Sequence, residues 1–98
     1  MTHSDILAMT KSNLQISGDM FDSYLGMLIE AARGAIATEG ITIDYESVED
    51  CNIVVMYASY LYRKRLGDDP SMPRMLRYAM NNKLFAQKAK AVVRHDVS

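Results

Sequence analysis

Cys51 is the chain's one cysteine, and His3 and His95 are its two histidines. With the carboxylates Glu46, Glu49 and Asp50, these are the side chains whose types could support nucleophilic, acid–base or metal chemistry. A nucleophilic thiol needs a base within hydrogen-bond reach, and a metal needs ligands at short, repeating spacing. Neither pattern occurs. His3 and His95 lie near opposite ends of the chain, outside any ligand-spaced cluster, and read as solvated side chains. Cys51 falls on the apolar face of a helix and reads as a small buried hydrophobe. The three acids open a helix, where the dipole favours negative charge without any acid–base role. No G-x-x-x-x-G-K-[ST] or G-x-G-x-x-G loop cradles a phosphate. The sequence therefore assigns no catalytic residue, no cofactor site and no metal site, and an enzyme is the least favoured class.

Charge is the more informative property. Residues 1–50 hold nine acidic and two basic residues, a net −7, while residues 51–98 hold nine basic and three acidic, a net +6. The overall charge of −1 hides this polarity. The plainer account is that helices carry differently charged solvated faces, or that the charges neutralise each other within one fold. The alternative is that the basic surface of one copy faces the acidic surface of the next, a head-to-tail contact that closes into a ring if the rotation permits. A third account is nucleic-acid binding. Arg63, Lys64, Arg65, Arg74, Arg77, Lys83, Lys88, Lys90 and Arg94 are interleaved with Tyr60, Tyr62, Tyr78 and Phe85, as on a phosphate-contacting face. The pI of about 6.0 argues against it. So does the long, proline-bearing loop between the third and fourth helices, which does not suit a helix-turn-helix.

Ninety-eight residues, 49% of them hydrophobic, are enough for one domain with a real core. Eight Met and no Trp suggest adaptable core packing. A lone cysteine permits no internal disulfide and suits a reducing compartment. No signal-peptide pattern and no apolar run of about 20 residues is present, so a soluble protein without a membrane span is expected.

The elements that must position these residues are four helices, one short and three longer, an all-α domain with its core over about residues 5–90. The first runs from about Ser4 to Ser12, with capping-box spacing at Thr2 and Asp5, Ser4 being the alternative cap. Ile6, Leu7 and Leu14 form its apolar edge, and Ser17-Gly18-Asp19 breaks it. Asp19 then suits the cap of a second helix, whose apolar face is Phe21, Tyr24, Leu25, Leu28, Ile29, Ala32 and Ile36. Gly40 ends it, and Gly26 and Gly34 inside it suggest close approach of another backbone. Ile41-Thr42-Ile43 is an extended connector. The third helix begins near Asp44 or Ser47, the latter with capping-box spacing to Asp50, and stops at Gly67. Val48, Cys51, Val54, Val55, Ala58, Leu61 and Tyr62 form one face; Ile53, Met56, Tyr57 and Tyr60 add a second. Such a helix is central in its own domain or covered by a neighbouring subunit. Residues 68–72 form a loop, and Pro73 suits the first turn of a fourth helix burying Met75, Leu76, Ala79, Met80 and Leu84. Asn81-Asn82 is a candidate early break, and residues 94–98 are expected to fray. The core is expected to comprise Leu25, Leu28, Ile29, Val54, Val55, Ala58, Leu61, Leu76 and Met80.

The stretch Val55-Met56-Tyr57-Ala58-Ser59-Tyr60-Leu61-Tyr62-Arg63-Lys64-Arg65, followed by Met72-Pro73-Arg74-Met75-Leu76-Arg77-Tyr78-Ala79-Met80-Asn81-Asn82-Lys83-Leu84-Phe85, resembles the head-tail connector proteins of tailed bacteriophages and prophages. These are also called adaptor or head-completion proteins. The resemblance covers about residues 5–88, and Met72 to Phe85 is its most specific part. It implies a small helical virion protein, made in the bacterial cytoplasm, that forms a ring of about a dozen copies under the portal. The ring extends the DNA channel, without sequence-specific DNA contact, and docks the tail or head-closure protein. The resemblance places Arg63, Lys64, Arg65, Met72, Pro73, Arg74, Arg77, Tyr78, Asn81, Asn82, Lys83 and Phe85 where subunits and portal meet. Asp44, Glu46, Glu49 and Asp50 are the acids suited to face them. Broader members carry longer loops or tails than the short Gly67–Met72 loop and the short C-terminal tail here.

Overall fold

The computed structural model describes residues 1–67 and 71–97, and of residues 91–97 only the helical backbone. Much of the 68–72 loop, the side chains of Arg94 and His95, and the end of the 94–98 tail lie outside the described residues. Four helices follow in order: α1 (His3–Leu14), α2 (Asp22–Thr38), α3 (Val48–Leu66) and α4 (Arg74–Val97). The described residues contain no strand, and no helix among them is long and apolar enough to cross a membrane.

Local chemistry sets most boundaries. The Thr2 hydroxyl accepts from the Asp5 N–H at 3.2 Å, and the Asp5 carboxylate accepts from the Thr2 N–H at 2.9 Å. Thr2, not Ser4, is therefore the cap of α1. Helix α1 stops at Gln15, a left-handed residue with φ 59°, two residues ahead of the expected break. Asp19 does not cap α2. Its backbone carbonyl accepts from the Asp22 N–H in a turn, and Phe21 occupies the cap position without a side-chain bond. Phe21 is thereby turned out of the predicted apolar face and is partly exposed. Gly40, at φ 89°, and Gly67, at φ 80°, adopt the left-handed conformation that ends α2 and α3 as predicted. Gly26 and Gly34 do not mark a close approach. A side-chain carbon at Gly26 would meet only His3 Nε2, at 3.8 Å, and one at Gly34 would meet nothing. Pro73 sits one residue before α4, its carbonyl accepting from the Arg77 N–H at 3.1 Å. Asn81 and Asn82 do not interrupt α4, because the buried Met80 and the half-buried Leu84 on either side hold that turn against the body.

Helix α3 is the centre. It packs against α1, α2 and α4, while α4 rests mainly on α3. That accounts for the two apolar sides of α3: Cys51, Val54 and Ala58 are fully buried, and Ile53, Val55 and Tyr60 nearly so. Leu25, Ile29, Ala32 and Ile36 of α2, Ile6 of α1, Ile41 of the connector after α2, and Leu76 and Met80 of α4 complete the core. Leu28 and Leu61, expected there, are only half-buried, because they flank the contact lines. Val48 and Met75 lie outside the core at 62% and 76% exposure; each opens its helix on the solvent side. The body measures 52 × 28 × 18 Å. Its long dimension follows from α4, whose 24 residues span about 36 Å at 1.5 Å per residue.

Candidate subunit interface

The charged residues singled out by sequence divide into two groups once folded. Three of them are engaged within the subunit. Arg77 donates to both oxygens of Glu39, at 2.8 and 3.4 Å, tying α4 to the end of α2. Donating to the Glu39 carboxylate pushes the Arg77 guanidinium pKa up. Asp50 is buried, at 5% exposure. Its Oδ2 accepts from the Asp44 N–H at 2.8 Å and meets Lys83 Nζ at 2.9 Å. The Ser47 hydroxyl accepts from the Asp50 N–H at 3.2 Å, but the Asp50 carboxylate does not complete a capping box. It bridges α3 to α4 instead.

The second group remains outside the fold. Arg63, Lys64, Arg65 and Arg74 are exposed, and so are Asp44, Glu46 and Glu49. Among the described residues, none of these seven forms an ion pair with another side chain. Lys64 lies over the Tyr60 ring at 5.8 Å, and Arg65 over the Tyr24 ring at 5.5 Å. These stacks fix where the cations project from the end of α3. Asp44 uses Oδ1 to accept the Glu46 N–H at 3.0 Å, which shapes the turn into α3. The two charged ends are separated by most of α3, whose 19 residues span about 30 Å. At each end the charges suit the dipole of α3, acids at its start and bases at its finish.

Of the remaining predicted interface residues, Tyr78, Asn81, Asn82 and Phe85 are exposed on α4, and Met72 and Pro73 are half-buried at its start. Sequence reasoning missed Met20, Met27 and Leu66, which are exposed at 85%, 69% and 59%. It also missed the clamp of Gln87 on Thr42, which donates and accepts at 2.7 and 3.1 Å. A long-range contact of that kind leaves no signal in sequence periodicity.

Cys51 is buried, with its Sγ 3.4 Å from the Tyr45 carbonyl. Desolvation pushes its thiol pKa up, away from the thiolate needed for nucleophilic chemistry. His3 faces Glu30 at 4.0 Å and is half-exposed. Among the described residues no group of three His, Cys, Asp or Glu side chains is arranged to hold a metal. Compared with protein-family models, with curated proteins and with solved structures, the chain matches none.

Proposed function

We propose that the chain is a structural virion subunit, a head-tail connector or adaptor of a tailed bacteriophage or prophage. About a dozen copies form a ring beneath the portal, extend the DNA channel and present the docking surface for the tail or head-closure protein. The subunit is made in the host cytoplasm and resides at the head-tail junction. The observation that carries this reading is the pair of charged ends that form no side-chain ion pair among the described residues. Arg63, Lys64, Arg65 and Arg74 lie at one, and Asp44, Glu46 and Glu49 at the other, about 30 Å apart along α3. A subunit with such ends neutralises them by meeting its own copies head to tail. The segments that resemble the connector family support the reading. They form the second half of α3 and the first half of α4, next to the basic end. Arg77, Lys83 and Asp50, also expected at that contact, are already paired within the subunit and join α4 to the body.

The test is Arg63→Glu with Arg65→Glu, assayed on purified portal-bearing heads beside circular dichroism. The double variant should keep its helicity and fail to attach. Normal attachment would falsify the electrostatic role, and lost helicity would show that the arginines serve the fold. Duplex DNA should bind weakly and without sequence preference, because a channel lining lets DNA slide. A tight, sequence-selective shift at physiological salt would replace the connector with a DNA-binding regulator.

A further inference from the structure

Helix α4 is apolar on two sides, and only one of them is covered. Leu76 and Met80 are fully buried against the body, with Leu84 and Gln87 following half-buried. On the outer side, Met75, Tyr78, Asn82, Phe85 and Ala89 recur at spacings of three and four, the seam of a coiled coil. Met75 is 76% exposed, Tyr78 59% and Phe85 78%. Large apolar side chains aligned on one exposed stripe mark a contact surface, unlike single scattered ones.

Charge decides what covers the stripe. Between Arg74 and Lys90, α4 holds five cations and no carboxylate. Arg77 and Lys83 are paired inside the subunit; Arg74, Lys88 and Lys90 are exposed. A parallel pair of α4 helices would set each free cation against its own copy. An antiparallel pair does the opposite. The Lys83–Asp50 bridge and the Thr42–Gln87 clamp place the acidic start of α3, and the chain leading into it, beside the middle of α4, while Arg74 opens the helix. Glu49 also lines the same groove as Met75 and Asn82, so this acid faces the side of the stripe. Turning the second copy end for end about the middle of the stripe therefore brings Glu49 of each copy level with the exposed Lys90 of the other.

We propose that the α4 stripe is a self-association surface, covered by the α4 stripe of a second copy lying antiparallel about a two-fold axis near Asn82 and Phe85. In that register Tyr78 packs against Ala89, the largest ring against the smallest side chain. Asn82 lies in the middle layers, where a buried polar residue fixes register. The contact is isologous and distinct from the head-to-tail contact of the α3 ends, although Tyr78, Asn82 and Phe85 also lie in the segment that resembles the connector family.

The test uses the full chain. Sedimentation equilibrium of the wild type should show a monomer–dimer equilibrium, and Phe85→Glu should weaken it by more than about tenfold, as for loss of a central aromatic anchor. Because Phe85 is exposed, circular dichroism of the variant should be unchanged. Orientation is read from Tyr78→Cys and Ala89→Cys under mild oxidation. The two variants mixed should form a cross-linked dimer faster than either alone. A wild type that stays monomeric, a Phe85→Glu variant that dimerises normally, or Ala89→Cys chains that cross-link best to themselves would each overturn the proposal.

Discussion

Burial ranks residues that look alike in the sequence. Leu28 and Ile29 both belong to the predicted apolar face of α2, yet Ile29 is fully buried and Leu28 only half so. Ile29→Ala should cost about 2–5 kcal/mol, and Leu28→Ala distinctly less, in chemical denaturation. Equal losses would mean that the contact line of α2 is rotated. Cys51 gives a second expectation. Its thiol is buried and its pKa raised by desolvation, so the folded protein should resist alkylation at mildly alkaline pH. Labelling should follow global unfolding, and rapid labelling of the native protein would contradict the burial. Both positions were legible as apolar. Half-burial was not, because periodicity identifies a face but not its edge.

At the scale of elements, stop signals were easier to read than joints. Gly40, Gly67 and the Thr2–Asp5 box were visible because each acts within one helical turn. Asp19 misled because its turn is closed by backbone bonding, leaving Phe21 at the cap. The joints of α4 were invisible, since Asp50–Lys83 and Glu39–Arg77 link residues 33 and 38 positions apart. They also pair, within the subunit, three charges that sequence had assigned to its interface. The Lys83 joint is measurable. Lys83→Met leaves the Asp50 carboxylate, 7% exposed, without its cation. It should cost about 1–3 kcal/mol, against almost nothing for Lys88→Met on the free surface. Similar effects would show that the pair contributes no stability. The α1 cap has a pH signature. Bonding from Thr2 lowers the Asp5 pKa below its usual 3.8. A group with a depressed folded pKa stabilises above its unfolded value, and that contribution is lost as pH falls through the folded value. Asp5→Asn should therefore flatten the acid limb of the stability–pH profile while leaving its alkaline limb unchanged. An unaltered acid limb would mean that the box is not formed in solution.

The whole molecule is organised around α3, which buries its apolar sides against three neighbours and leaves opposite charges at its ends. The four-helix fold was legible from hydrophobic period and caps. The charge asymmetry was legible too, but not which charges would stay free, since that depends on tertiary pairing. The central claim is that the free ends recognise each other between copies. Two charge-reversed chains test it most directly: Arg63→Glu with Lys64→Glu and Arg65→Glu, which makes both ends acidic, and Glu46→Lys with Glu49→Lys, which makes both basic. The measurement is attachment to portal-bearing heads by each chain alone and by an equimolar mixture. Neither chain alone should attach, because like ends repel. The mixture should attach, because alternating copies restore an acidic end against a basic one at every contact. Attachment of either chain alone at the wild-type level would contradict the claim, and so would a mixture no better than its components.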